Sequence, residues 1–170
     1  MRSRYRDLFE VELDTHHVVW CRGDRWREPA VADDIFGRSE PEWIEAPCPS
    51  RRSRGGKHSA SGGAWATEWP SGGASIHLGR EVATRYGLQI ALHEVAHVVL
   101  GHTDRRRRRQ RVFEREAAAE AWSFQRMDEL AVPVPEASRR RAADYVAYRK
   151  RRGDRVIARQ VAKKKRGAND

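Results

Sequence analysis

The sequence GREVATRYGLQIALHEVAHVVLGH, at residues 79–102, surrounds the motif HEVAH with apolar residues. From about Leu88 to Leu100, nearly every position outside the motif is apolar except Gln89. A helix that is apolar on all sides is a buried helix, and Gly101 is a typical signal for its end. The segment therefore predicts a buried helix that stops near residue 101.

The HEVAH motif places three polar side chains on this helix. His93 and His97 are four residues apart, so their imidazoles lie on one face and can share one metal ion. Neutral imidazole suits zinc. Glu94 lies at the edge of that face, where a carboxylate can act as general base on a zinc-activated water without coordinating the ion. A single buried histidine is ordinarily a satisfied core residue, but burying three polar groups without a metal would be costly.

A catalytic zinc site takes three protein ligands and keeps a fourth position open. Glu120 is the favoured third ligand, because it falls within the apolar stripe of a helix predicted at about 111–130 and so faces inward. Glu116, one turn earlier, is the alternative; it could instead orient a ligand histidine or form a surface ion pair. His102 has the wrong spacing for a three-histidine site, so it is assigned to the surroundings of the ligands or to the helix end, with ligation the lesser alternative. The stripe consists of Phe113, Ala117, Glu120, Phe124 and Met127.

The composition bounds the class of protein. The 170 residues suffice for one domain with one core. Lys plus Arg number 34 and Asp plus Glu 24, giving a net charge of +10 that favours binding to nucleic acid or an acidic protein. With no helix-turn-helix or zinc-finger pattern, nucleic-acid binding would be non-specific and salt-sensitive, and a plain solvated face is the alternative. The basic clusters are residues 105–109, 111, 139–141, 149–152 and 163–166.

Targeting signals and cysteines point to the inside of the cell. The N-terminal MRSRYRDLFEVEL lacks the apolar run of a secretory signal. No stretch approaches the roughly 18 apolar residues of a membrane span. Cys21 and Cys48 are too few for a disulfide framework and are expected to be free thiols in a reducing compartment. We therefore expect a cytoplasmic protein without membrane contact.

The strand-like segments predict a small, partly antiparallel sheet that packs against the motif helix. Residues 5–21 contain alternating β-like runs and suggest a hairpin, with a short helix at 5–13 as the alternative. Residues 64–79 read as strand, tight turn and strand. The Gly-, Ser- and Arg-rich stretch 50–63 is expected to be mobile. Together with the helices, these elements predict an α+β fold.

Helices are expected to cover the other side of the motif helix. Besides the helix at about 111–130, which Pro133 and Pro135 follow, a third is predicted at about 136–152 and a short one at 154–163. The expected organisation is an N-terminal part at 1–63, a core at 64–150, and a basic C-terminal helix and tail at 151–170.

The segments HEVAHVVLGH and REAAAEAWSF resemble the ImmA/IrrE-type zinc metallopeptidases, and more closely their antirestriction-like relatives on plasmids and phages. Those families carry HExxH, usually followed by LGH, which residues 100–102 match. A second helix follows with a Glu-Ala pair and an aromatic or apolar residue three positions later, which Glu120, Ala121 and Phe124 match. The resemblance covers about residues 64–150.

The resemblance implies a zincin-like fold of the gluzincin type and the cleavage of peptide bonds. A zinc ion would be held by His93, His97 and Glu120, with Glu94 as general base. It also implies an intracellular regulatory peptidase, often carried by a phage or mobile element and directed at one protein, such as a repressor or a DNA-bound regulator.

Substrate recognition is inferred only by analogy. In similar enzymes a strand beside the active-site helix pairs with extended substrate, and residues 75–78 are the candidate here. Trp122 and Gln125 depart from the small or apolar residues usual in the family. The alternative function is a basic, nucleic-acid-associated or antirestriction-like binding protein whose zincin domain is inactive or structural. Candidate oxyanion donors are His77, Arg80 and Tyr145.

Overall fold

The computed structural model describes residues 3–22, 25–27, 44–45, 64–68, 74–78, 81–103 and 110–166. Four helices and five strands lie within them, in agreement with the α+β class expected from the sequence. Residues 50–63, for which the sequence predicts mobility, lie outside the described residues. The arginine run at 105–109 lies outside them too. In chain order the elements are α1 (Arg4–Thr15), β1 (Val18–Arg22), β2 (Arg25–Arg27), β3 (Ile44–Glu45), β4 (Ala64–Glu68), β5 (Ala74–Leu78), α2 (Arg85–Val99), α3 (Val112–Glu129) and α4 (Glu136–Arg166).

The first β-like run near the N-terminus is a helix, so the predicted hairpin is wrong and its short-helix alternative is confirmed. The run alternated Phe9, Val11 and Leu13 with charged residues. In α1, however, Phe9 and Leu13 are fully buried whereas Val11 is 54% exposed. Burial thus follows the four-residue spacing of one helix face. Ser3 begins the helix, since its Oγ accepts a hydrogen bond from the Arg6 backbone N–H at 3.2 Å.

The five strands form one mixed sheet in the order β3-β2-β1-β5-β4. The pairs β1–β2, β2–β3 and β4–β5 are antiparallel, and the last confirms the two strands predicted within residues 64–79. β1 and β5 pair in parallel, with Val18 opposite Ala74. The expected antiparallel character is therefore wrong for this central pair. Four consecutive buried residues, 18–21, fit a strand that is covered on both faces.

β5 lies inside the sheet, with β1 on one side and β4 on the other. Its backbone groups are thus engaged by both neighbours. The prediction that residues 75–78 offer a free edge to substrate is therefore wrong. β4, which contacts α2, is the outer strand at this end of the sheet.

The predicted motif helix is α2, and it forms the centre of the core. Thr84 caps its start, where the Thr84 Oγ1 accepts from the Gly87 N–H at 3.0 Å. The helix contacts β4 and β5 on one side and α1 and α3 on the others, which is why it is apolar nearly all round. Gly101, with φ of 67°, follows its last turn, as predicted. The core includes Phe9, Leu13, Val18, Trp20, Ile76, Leu88, Leu92, Val95 and Met127.

α4 is one helix over 31 residues, whereas the sequence predicted two separate helices at 136–152 and 154–163. Gly153, the residue between the two predicted ranges, lies within it. A glycine inside a helix costs only about 1 kcal/mol relative to alanine, and the good helix formers Arg151, Arg152 and Arg155 lie close to it. The first half of α4 packs on α3 and buries Ser138 and Ala142, whereas the residues from Asp154 to Ala162 are all exposed.

The structure bears on two expectations about the cellular environment, the state of the cysteines and the contact with a membrane. Cys21 is disulfide-bonded, so the expectation of a free thiol is wrong for this residue; Cys48 lies outside the described residues. A disulfide is typical of oxidising compartments, so Cys21 does not support a reducing one. Among the described residues, no helix has both the length and the apolar character needed to cross a membrane.

Candidate metal centre

The candidate site lies between α2 and α3, where two pairs of polar side chains face each other. His93 and His97 are one turn apart on α2, and Glu116 and Glu120 are one turn apart on α3. The four side chains are between 12% and 16% exposed, so the site is largely shielded from water. Helical spacing alone thus brings two imidazoles and two carboxylates together.

Three of these side chains direct one ligand atom each to a common point. The Nε2 atoms of His93 and His97 are 3.1 Å apart. The Glu116 Oε2 lies 3.5 Å from the Nε2 of His93 and 3.9 Å from that of His97. Ligands bound tetrahedrally to zinc at about 2.0–2.1 Å would be separated by about 3.4 Å. The observed triangle therefore has the size that a tetrahedral zinc site needs, and these three residues could hold a metal ion.

Glu120 faces the other nitrogen of the His93 ring. Its Oε1 is 3.4 Å from the Nδ1 of His93, and its Oε2 accepts a hydrogen bond from the Gln89 Nε2 at 3.4 Å. The sequence favoured Glu120 as third ligand and left Glu116 as the alternative. The distances favour Glu116 for that position and place Glu120 where a carboxylate fixes the orientation of a ligand imidazole.

His102 occupies the corresponding position beside His97. The two Nδ1 atoms are 3.0 Å apart. Gly101 makes this contact possible, since its positive φ turns the chain back over the end of α2. Arg115 on α3 holds the returning segment by donating to the His102 carbonyl at 3.1 Å. His102 therefore lies next to a candidate ligand, as one of the sequence alternatives proposed, and leaves the Nε2 of His97 facing the site.

The electrostatics of the site favour a cation. Burial lowers the pKa of His93, but the carboxylates of Glu116 and Glu120 outweigh it and raise this pKa to about 10. Burial and the neighbouring charge of His93 lower the pKa of His97 to about 4. Although burial opposes it, the contact with His93 lowers the pKa of Glu116 to about 2. The carboxylates thus stabilise one positive charge among the two imidazoles.

Glu94 lies at the edge of the site and is 9% exposed. Burial raises the pKa of its carboxyl group to about 7, even though the charge on His93 acts in the opposite direction. The backbone N–H of Ala66 in β4 donates a hydrogen bond to the carboxylate. A carboxyl group with a pKa near neutrality can both accept and release a proton, as a general base and acid must.

Sequence reasoning missed the contribution that α4 makes. Arg149 was counted only as part of a basic cluster, yet its Nη2 donates to the Glu116 Oε1 at 3.2 Å. Its guanidinium also lies over the ring of Tyr145, 5.4 Å from the ring centroid. Local sequence carries no signal for this contact, because it depends on how α4 packs against α3.

Tyr145, one of the three candidate oxyanion donors, lies beside the site. Burial raises the pKa of its phenol, and the neighbouring charges of Glu116 and Glu94 add to this effect. His77 lies in β5, where its Nε2 is 3.3 Å from the Ser75 Oγ. Arg80 lies outside the described residues.

Comparison with known proteins adds no assignment. No protein-family model matches the chain. No curated protein and no solved structure matches it either. The resemblance to ImmA/IrrE-type peptidases therefore stays a prediction, and function must be argued from the geometry of the site.

Proposed function

We propose that this protein is a zinc-dependent metallopeptidase whose ion is held by His93, His97 and Glu116. One observation carries the proposal: the three ligand atoms lie 3.1 to 3.9 Å apart, close to the edges of a zinc tetrahedron. Three protein ligands leave a fourth position open, which distinguishes catalytic from purely structural zinc sites.

The surrounding residues fit such an ion. The donor set of two imidazoles and one carboxylate is one that zinc accepts in hydrolases. The Nδ1 of His93 is buried and lacks a hydrogen bond of good geometry, although the Glu120 carboxylate is 3.4 Å away. Binding of an ion at Nε2 would strengthen this contact, because the Nδ1–H becomes a better donor to the carboxylate. The negative field that now keeps a proton on His93 would stabilise a metal cation equally well.

The chain's own groups supply the proton transfers. A zinc ion bound here would polarise the substrate carbonyl and make water acidic enough to attack near neutral pH. Glu94 takes the proton from the attacking water at its carboxylate and returns it to the leaving amine. The phenol of Tyr145 is the candidate donor to the oxyanion that develops on the carbonyl oxygen. Glu120 and His102 keep the two ligand rings in place.

The proposed substrate is a specific intracellular protein, such as a repressor or a DNA-bound regulator, as the family resemblance implies. Since β5 is an inner strand, the outer edge of β4 replaces residues 75–78 as the proposed place for an extended peptide to pair. Ala66 of β4 already contacts Glu94, so a peptide on that edge would pass close to the general base.

Zinc content of purified protein tests the ligand set. We expect about one zinc per chain in the wild type and in Glu94→Gln, and none in His97→Ala or Glu116→Gln. Glu120→Gln should keep zinc with an affinity reduced about 10- to 100-fold, because it removes only the group that orients His93. Asp128→Asn is the matched control: it neutralises an exposed carboxylate on the same helix.

The outcomes separate the alternatives. Loss of zinc in Glu120→Gln and retention in Glu116→Gln would exchange the roles of the two glutamates. Absence of zinc in reconstituted wild type would refute the proposal. For activity, a proteome-derived peptide library read by mass spectrometry should show cleavage by the wild type and none by Glu94→Gln at equal zinc content.

A further inference from the structure

We infer that the distal part of α4, residues 151–166, binds double-stranded DNA through its phosphates and without sequence preference. We call this segment the basic arm. The inference goes beyond the proposed function, since none of these residues belongs to the metal centre. It is carried by the exposure, the charge pattern and the helical geometry of the arm.

The basic arm projects from the body of the protein. From Asp154 to Ala162 every residue is exposed, so this stretch of the arm does not contribute to the core. A 3.9 Å ion pair between Arg111 and Asp154, both more than half exposed, joins the start of the arm to α3. At 1.5 Å per residue, the 16 residues of the arm extend about 24 Å. Its exposed stretch is therefore available to another molecule.

The charge of the arm works against its own stability. It contains eight Lys or Arg residues and a single acidic residue, Asp154. Arg151, Arg155 and Arg159 follow one another at four-residue spacing, so each repels the next along one face. A helix with few apolar contacts and repulsive neighbours needs a partner to be stabilised. A polyanion would relieve the repulsion.

The distribution of the cations favours DNA over a membrane surface. Helices that lie on membranes need a continuous apolar face, usually with Trp, Phe or Leu. The arm contains none of these residues. Its large exposed apolar residues are Val156, Ile157 and Val161, and at 100° per residue the polar Gln160 projects between the first two. The apolar side is therefore interrupted, whereas Arg151, Arg155 and Arg159 share the opposite side of the helix.

A helix with such a row of arginines suits the major groove of B-form DNA, where phosphate backbones flank the bound helix. The major groove of duplex RNA is too narrow and deep for this. DNA carries one negative charge per about 1.7 Å of its axis, so about 14 phosphate charges lie along a length of 24 Å. Gln160 is the single uncharged residue of the arm with a strong hydrogen-bonding side chain. We therefore assign phosphate contacts and no base recognition.

The test measures binding of the full-length protein to a labelled 20-base-pair duplex of arbitrary sequence, by fluorescence anisotropy at several salt concentrations. The variant is the triple substitution Arg151→Gln, Arg155→Gln and Arg159→Gln. If each arginine neutralises one phosphate, the slope of log K against log salt becomes shallower by about 2.7. At 0.1 M salt this corresponds to a loss of affinity of about 10²- to 10³-fold.

A matched control removes the same charge elsewhere. Arg4, Arg85 and Arg140 are exposed and lie outside the arm. Replacing all three by Gln should change the affinity by less than about tenfold. Equal weakening by both triple variants would overturn the inference, because net charge alone would then explain binding. Unchanged melting temperature and zinc content would show that both variants keep the fold.

Two further results would also overturn it. One is binding of the wild type to phosphatidylserine vesicles with no binding to the duplex, which would make the arm a membrane contact. The other is a strong preference for one duplex sequence among several. A rise in helical circular dichroism on adding the duplex is expected from the wild type, since the phosphates remove the repulsion along the arm.

Discussion

A buried ion pair between Glu12 and Arg126 links α1 to α3. We expect that breaking it lowers the free energy of unfolding by about 3 kcal/mol. Arg126 donates two hydrogen bonds to Glu12, from Nε at 2.8 Å and from Nη2 at 2.7 Å, and the Glu12 side chain is 0% exposed. Arg126→Met keeps most of the aliphatic volume but removes the cation of a buried carboxylate, beside which the His16 Nε2 remains at 3.6 Å in an imidazole whose pKa burial lowers. Such a loss typically costs about 3–5 kcal/mol. We expect the lower end of that range, because the Arg126 side chain is 30% exposed and water can partly replace it.

Thermal and urea unfolding, followed by circular dichroism at 222 nm, measure the effect. For a chain of this size, 1 kcal/mol corresponds to about 2–4 °C, so the melting temperature should fall by about 6–12 °C. Arg140→Met is the control: its pair with Glu136 is 4.0 Å long and 73% exposed on both sides, so its loss should stay within about 0.5 kcal/mol.

The double variant Glu12→Met with Arg126→Met decides between two explanations of the cost. Since packed apolar residues can replace a buried ion pair almost without loss, the double variant should recover most of the stability. The reasoning is refuted if Arg126→Met costs less than about 1 kcal/mol. It is also refuted if the double variant is no more stable than Arg126→Met alone, because an unpaired buried charge would then not be the cause.

Three further predictions concern the site and α4. Gly101→Ala should lower the free energy of unfolding by about 1 kcal/mol in a melting experiment, because φ is 67° at this position. It should also weaken zinc binding, because it displaces His102. An unchanged zinc affinity in chelator competition would contradict this role of His102. A zinc ion must replace the proton on His93, whose pKa is about 10. The affinity for zinc should therefore rise about tenfold per pH unit from pH 6 to 9. Calorimetry of Glu94→Gln at pH 7 in buffers of different ionisation enthalpy should show about one proton released, and none would contradict the prediction. Gly153→Ala should raise stability by about 0.5–1 kcal/mol, because an added Cβ meets nothing within 4 Å; a lower melting temperature would argue against the continuous helix.

The centre of the fold could be predicted because its signals are local. α2 is apolar nearly all round, and that pattern alone indicates burial. The four-residue spacing of His93 and His97 places both rings on one face whatever surrounds them. The stop at Gly101 is equally local, since a left-handed residue after a helix favours glycine. These features do not depend on how the elements pack together.

The third ligand could not be chosen in the same way. Glu116 and Glu120 are one turn apart on α3, and both face α2. Which carboxylate reaches the two Nε2 atoms depends on how far α3 is shifted along α2, and periodicity contains no information about that shift. The same holds for Arg149, which reaches Glu116 from α4. Near the N-terminus, the alternation of Phe9 and Leu13 with charged residues suited strand and helix equally, and only packing decided between them.

The parallel pairing of β1 with β5 has a consequence for the order in which the protein forms. Residues 23–73 separate the two strands, so the middle of the sheet closes only after residue 78 has been synthesised. Closing so long a loop is slow, because its entropy is lost before the distant contacts form. Until then Val18 and Trp20, which end up buried, have no neighbour at β5 to cover them. A nascent or truncated chain that ends before residue 74 should therefore aggregate or recruit chaperones, whereas one extending past α2 can close the sheet.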